Sequence, residues 1–436
     1  MYNIVSKLLM YGSMPQDSIL MQLADIFRNM DRGTQENDEL VTRVYTQVKR
    51  ILMLGTDYAF DRNLWHNYLT YLLITDENPF SLTSEKVGAS VGSVNEFARA
   101  DFRAFKALFD FDFSRMEEKL GIDCFSRIEN YHSIEKKELM YNKNVSEKVR
   151  GLSEKLEQAA DEDEFFEAVT GFYRDYGVGM FGLNKAFRIA RRTEDSVSFC
   201  PINNMDQVML DDLIGYDIQK KKLVDNTEAF VSGRKANNVL LFGDAGTGKS
   251  TSVKAIVNEY YDRGLRMIEI YKHQFRDLSN VIAQIKNRNY RFIIYMDDLS
   301  FEENEIEYKF LKAVIEGGVE TKPENILIYA TSNRRHLIRE NWNDRNDMEY
   351  EQDLHRSDTM EEKLSLYSRF GVQISYMKPT RKEFNNIVIQ LARRSGIDMT
   401  DEELCAQANK WELAHGGISG RTAQQFVNYI LGTVEK

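Results

Sequence analysis

A chain of 436 residues and 50.8 kDa has room for two to four domains of ordinary size, which excludes a small disulfide-stapled scaffold. Hydrophobic residues at 42% and charged residues at 29% are globular proportions, so neither wholesale disorder nor a membrane-embedded chain fits. The 57 lysines and arginines against 68 aspartates and glutamates leave a net charge of −11, which opposes non-specific attraction to nucleic-acid backbones and anionic lipid and leaves only local basic grooves open.

From the amino terminus to about residue 200 the apolar spacing is helical: Leu20, Leu23, Ala24 and Phe27 share one face, as do Leu152, Leu156 and Ala159. The densest apolar run, Leu64 to Ile74, contains His66 and Asn67 and is too short to cross a bilayer. No targeting segment precedes it, and Cys124, Cys200 and Cys405 lack metal-ligand spacing, so a reducing cytoplasmic location without membrane insertion is expected. The acidic run Asp161 to Glu164 reads as a solvated helix face. Pro201 and the Asn203-Asn204 pair mark a loop, and a domain boundary is placed near residue 200.

Beyond that loop, strand-length apolar runs at Asn238 to Phe242, Arg266 to Ile270, Arg291 to Met296 and Asn325 to Thr331 alternate with helical stretches, which predicts a parallel α/β sheet. The first run leads into Gly243-Asp244-Ala245-Gly246-Thr247-Gly248-Lys249-Ser250, a full G-x-x-x-x-G-K-[ST] match followed by a helix-compatible stretch from Thr251. Such a loop winds tightly enough for successive N–H groups to converge on a phosphate at the positive end of a helix. Lys249 would reach the β- and γ-phosphates, and the Ser250 hydroxyl would be a magnesium ligand. Arg291 to Met296 ends in Asp297-Asp298, where a sheet of this kind places a metal-binding acid and a water-activating neighbour. Asn325 to Thr331 ends in Ser332-Asn333, and Asn333 could orient the attacking water or simply complete a turn. Arg339 to Lys363 carries nine acids against four bases around Trp342, a docking loop or a solvated rim. From Pro379 the strands are expected to stop, and Thr380 to Glu383 and Thr400 to Glu403 are capping-box patterns that open helices of a small carboxyl-terminal domain.

In this order the motifs resemble those of the AAA+ ATPases over about 230 residues from Asp211 onward. Asp212-Leu213-Ile214-Gly215 resembles the segment leading into the adenine pocket, Gly243 to Ser250 resembles Walker A, Asp297-Asp298 Walker B, and Asn333 sensor 1. Ser368-Arg369-Phe370-Gly371 resembles the arginine-finger segment, and Gly417-Ile418-Ser419-Gly420-Arg421 the sensor 2 motif. The Asp297 to Phe301 string and Tyr176 to Gly182 are most similar to a bacterial AAA+ family of unassigned function. Asp298 stands where many ATPases have glutamate, and no aromatic-hydrophobic-glycine string of a threading pore lies between Ile270 and Arg291.

The resemblance implies a P-loop α/β core over 201–378, a helical lid over 379–436 and a helical recognition domain over 1–200. It implies ATP and Mg²⁺ as ligands: Ile214, Gly215, Gly243 to Thr251 and Arg421 on the nucleotide, Ser250 and Asp297 on the metal, and Asp298, Asn333 and Arg369 in the chemistry. Because Arg369 would act on a neighbouring copy, a nucleotide-promoted homo-oligomer is implied. The expected function is an ATPase that remodels or loads a macromolecular partner, protein ahead of nucleic acid. For the latter, Lys220-Lys221-Lys222 offers a short basic stretch and Arg334-Arg335 another. The alternative is a nucleotide-gated binding or scaffold protein with little hydrolysis, which the short side chain of Asp298 keeps open.

Overall fold

The computed structural model describes residues 1–89, 91–134, 141–193, 196–301, 305–316, 323–333 and 366–433. The chain divides into two compact units, Met1–Asn184 and Lys185–Lys436.

The first unit is helical, as its apolar periodicity demands. Ile19–Arg32 buries Leu20, Leu23, Ala24, Phe27 and Met30 along one stripe and stops at Gly33, whose left-handed backbone (φ 63°) ends the helix without a side-chain clash. Leu64–Thr75 is buried almost all round, and its Trp65 donates its indole N–H to Leu108 O at 2.8 Å. The acidic run has a local structural task. The Asp161 carboxylate accepts the N–H groups of Asp163 and Glu164 at 3.0 Å each, capping the helix Glu162–Tyr176, whose acidic first turn suits the positive end of the helix dipole.

The second unit is built on seven strands: β1 (Ala186–Thr193), β2 (Ser196–Pro201), β3 (Val239–Gly243), β4 (Leu265–Glu269), β5 (Arg291–Met296), β6 (Ile326–Ser332) and β7 (Val372–Tyr376). Their order across the sheet is β2-β1-β4-β5-β6-β3-β7, with every adjacent pair parallel except β1 and β2. The expected boundary near residue 200 therefore falls inside a sheet strand. Buried Phe187 and Ile189 alternate with exposed Arg188 and Ala190, a period of two that marks β1 as a half-buried strand and brings it, with β2, into the second unit. A further strand beyond those expected, β7, pairs with β3 in register Val239 to Val372. Helix α1 (Asp217–Val231) precedes β3, α2 (Lys249–Tyr260) follows it, and α3 (Leu278–Ile285) and α4 (Glu307–Glu316) complete the crossovers among the described residues.

Three further helices, α5 (Arg381–Arg394), α6 (Asp401–Ala414) and α7 (Gly420–Thr433), form a lid with its own core of Phe384, Ile387, Val388, Leu404, Phe426 and Val427. Both expected capping boxes are present: the hydroxyls of Thr380 and Thr400 accept the N–H groups of Glu383 and Glu403, and the glutamate carboxylates accept the threonine N–H groups in return. The mostly parallel sheet with a helical lid, preceded by a helical amino-terminal unit, is the architecture the sequence implied. Arg334-Arg335 and the acidic segment around Trp342 lie outside the described residues.

Candidate functional site

Parallel strands deliver their carboxyl ends to one edge, and a ligand crevice opens where neighbouring strands send their chains in opposite directions. Here β3 and β6 are neighbours, while the strand that follows β3 in sequence, β4, lies beyond β5 and β6. A cavity of about 720 Å³ opens at that point, lined by the phosphate-loop residues Ala245 to Thr251, by Asp297, Asp298, Thr331 and Asn333 from the strand ends, and by Arg421 from the lid.

The loop conformation is forced by its neighbours. Gly243 adopts φ 133°, and a Cβ there would lie 2.1 Å from Tyr376 O. Gly246 adopts φ 75°, with Ser419 Oγ 3.0 Å and the Arg421 Cβ 3.1 Å from where its own Cβ would stand, so the Gly417 to Arg421 segment packs directly on the loop after β3. The Arg421 N–H donates to Gly246 O at 3.1 Å. Asp244 turns its carboxylate away from the cavity to accept the Lys378 N–H at 2.8 Å, so it serves the loop rather than lining the wall. Gly215 and Gly243 likewise supply backbone geometry and not wall surface.

Lys249 is 6% exposed, and its ammonium donates to Gly243 O at 3.0 Å, Asp244 O at 2.6 Å and Asn333 Oδ1 at 3.0 Å. Burial lowers its pKa, against the opposing pull of Asp244, Asp298 and Asp297. Asn333 passes the link on, its amide donating to Asp298 Oδ1 at 2.7 Å. Asp298 is one of few non-glycine residues at positive φ (49°), and its N–H donates to Thr331 Oγ1 at 2.9 Å. One oxygen of Asp297, Oδ1, accepts three hydroxyls: Ser250 at 2.7 Å, Tyr295 at 2.7 Å and Thr331 at 2.5 Å. Partial desolvation pushes this carboxyl upward, but the three hydroxyls and the Asp298 N–H together outweigh it and hold the group below its ordinary range.

The apolar end of the cavity is closed by Leu213, Ile214, Tyr216, Ile387 and Leu391. Ile214 belongs to the lid core, and Arg394 of α5 reaches back to Asp211 O at 2.7 Å, so this wall joins the segment before α1 to the lid. Tyr216 stacks on Tyr376 at 5.1 Å between centroids and donates its phenol to Met377 O at 2.9 Å. The Lys220 ammonium is committed to Leu213 O at 2.8 Å and to Asp217, which shortens the basic triplet on α1.

Of the candidate residues, Arg369 alone stands apart. It precedes the amino end of β7, whereas the cavity lies at the carboxyl edge; at about 3.3 Å per residue the strand alone separates them by about 15 Å. The sequence assigns no role to Thr331, Tyr295, Tyr216, Gln424 or Gln425. Tyr295 is within reach of the period-two rule, since it precedes Asp297 by two residues where the strand ends.

Ser250 and Asp297 offer hard oxygen atoms side by side, the donor type that magnesium accepts together with water and phosphate.

A parallel core in the order β4-β5-β6-β3-β7, a phosphate loop after β3, an acid pair after β5, a polar side chain after β6 and a helical lid against the loop define a P-loop module of the AAA+ class. The chain belongs to the family described as Protein of unknown function (DUF815), whose model matches residues 183–434. A stretch of 77 residues is 38% identical to the replication factor C large subunit of Methanococcus maripaludis, covering 17% of this chain and 15% of that protein. Among solved structures, the Thermotoga maritima RuvB Holliday junction branch migration motor is similar at 18% identity and a TM-score of 0.37, over 52% of this chain and 65% of that one. A point mutant of the same motor matches at 19% identity and a TM-score of 0.37, over 51% and 65%. The chain thus spans less than two thirds of each of these proteins.

Proposed function

We propose that this chain binds ATP with magnesium in the cavity at the carboxyl edge of the sheet and hydrolyses it, using the cycle to remodel or load a macromolecular partner. The observation that supports this most is the connected set Lys249–Asn333–Asp298, with Ser250 bonded to Asp297 beside it. In the proposed reaction Lys249 leaves the loop carbonyls for the β- and γ-phosphates. Asp298 takes the proton of a water whose oxygen attacks the γ-phosphorus, and the bond to the bridging oxygen breaks to give ADP and phosphate. Ser250 and Asp297 would hold the magnesium, which when bound neutralises charge on the phosphate oxygens. Asn333 orients the water, Arg421 answers the phosphates from the lid, and Ile214 contacts the adenine.

Arg369 completes the site of a neighbouring copy, because it is at the wrong edge of its own sheet. The assembly proposed is therefore a homo-oligomer with a shared site, and the helical amino-terminal unit is its recognition module for a protein partner. The cytoplasm is the proposed compartment; no helix among the described residues is long and apolar enough to cross a membrane, and the three cysteines are unpaired.

One observation favours a second reading, a nucleotide-gated scaffold with little turnover. The Asp298 carboxylate is a methylene shorter than glutamate and is already bonded to Asn333. The test is a titration of a fluorescent ATP analogue, with and without magnesium, on wild type and Lys249→Ala, followed by phosphate release. Binding and turnover lost in the variant are expected; unchanged affinity and turnover would remove the site assignment.

A further inference from the structure

The sheet places two hydroxyls beside the metal-side acid that no phosphate-loop motif requires. Tyr295 lies near the end of β5, and Asp297 follows two residues later, one position past the strand, so the two side chains leave the chain on the same face. Tyr295 is 1% exposed, and its phenol ends on Asp297 Oδ1 at 2.7 Å. On the neighbouring strand, the register Met296 to Ala330 sets Thr331 beside Asp297, and its hydroxyl reaches the same oxygen at 2.5 Å. Ser250 is the third donor, at 2.7 Å. A carboxylate oxygen carrying three hydroxyl donors cannot turn about its terminal torsion without breaking all three bonds. Two of those donors stand on strands of the sheet core, so Asp297 is oriented in advance of any ligand.

We propose that Tyr295 and Thr331 are positioning residues that clamp Asp297 by one oxygen and thereby set how much magnesium the site needs to hold its nucleotide tightly. This rests on the reading of the cavity as a magnesium–nucleotide site. Ser250 would offer its free oxygen lone pair to the cation while its hydroxyl still donates to Asp297, so the hydroxyl would link the orientation of the acid to the metal. Thr331 acts twice, because its oxygen also accepts the Asp298 N–H at 2.9 Å. Loss of the Tyr295 hydroxyl loosens one acid; loss of the Thr331 hydroxyl loosens both.

The experiment titrates magnesium into full-length protein with a fluorescent ATP analogue and reads the concentration at half-maximal tight binding, with affinity in EDTA as internal reference. Tyr295→Phe and Thr331→Val should each raise the magnesium requirement about tenfold, the lower end of the effect of losing an outer-shell partner. Thr331→Ser, which keeps the hydroxyl, should stay within about twofold of wild type on the same scale. Only Thr331→Val should also slow phosphate release at saturating magnesium. A Tyr295→Phe protein with the wild-type magnesium requirement overturns the clamp, and so does an equal loss in EDTA, which would mark a packing defect. If Tyr295→Phe fails to fold, Thr331→Val against Thr331→Ser decides the same question. A wild type whose nucleotide affinity ignores magnesium would remove the underlying reading as well, a result distinct from failure of the clamp alone.

Discussion

Both units bury polar side chains, but they bind them to different things. In the helical unit Asp101 is fully buried and accepts the N–H groups of Leu9 and Tyr11 at 2.9 Å each, while Glu85 accepts the Val178 N–H at 2.9 Å. Tyr11 and Tyr173 share a hydrogen bond of 2.8 Å, and Tyr173 donates to Leu73 O at 2.6 Å. Their partners are mostly backbone, so these groups can change only if the fold does. In the sheet unit the polar groups at the cavity bind loop carbonyls and one another: Lys249 to Asn333, Asn333 to Asp298, three hydroxyls to Asp297. Side-chain partners can be exchanged for a ligand without unfolding anything, and that is the physical difference between a structural polar core and a reactive one.

The largest effect is expected at Arg369, and it should fall on turnover. Arg369→Ala is expected to retain nucleotide binding and lose about 10³-fold in phosphate release, the scale of a trans-acting arginine; release at the wild-type rate would take the neighbouring copy out of the chemistry. Next comes Lys249→Ala, expected to cost roughly 100-fold in nucleotide affinity, as for a lost contact to a charged group, with the thermal midpoint little changed. Its counterpart is Asp101→Ala. Two backbone N–H groups left unpaired in the helical core should cost about 2 kcal/mol of stability in denaturant while nucleotide affinity stays put; an affinity change there would blur the distinction between the units.

The smallest effects are in pH, and their signs differ. Burial raises the Asp101 carboxyl above its ordinary 3.8, against the pull of the Tyr11 and Leu9 N–H groups. The folded state then binds its proton more tightly than the unfolded one, so this contribution to stability falls as pH rises through 3.8 toward the folded value. Glu383 is held below its ordinary 4.5 by the Thr380 N–H and hydroxyl of its capping box, so its contribution is present above 4.5 and lost as pH falls below it. Denaturant midpoints between about pH 3 and 6 should therefore shift oppositely in Asp101→Asn and Glu383→Gln relative to wild type.

What was legible in the sequence was what is local in the chain. The phosphate loop is one contiguous string, β5 is a six-residue apolar run found residue for residue, and both capping boxes lie within four residues. The β1–β2 hairpin was hidden because its arginines dilute the alternation, and β7 because five residues with Gln373 and Ser375 among them resemble a loop. The clamp on Asp297 was out of reach for another reason. Thr331 meets Asp297 across 34 positions of chain and only because β5 and β6 are neighbours in the sheet. Gln424 likewise enters the cavity through the folding of the lid against the sheet, and Tyr216 by stacking on Tyr376 of β7, which no spacing rule encodes.

A shared site that turns over ATP would show itself in phosphate release per chain measured against protein concentration in magnesium. Turnover per chain is expected to rise with concentration as copies assemble and to be absent in Lys249→Ala. Tight nucleotide binding with no release at any concentration would contradict it, and would leave the nucleotide-gated scaffold as the function of this cavity.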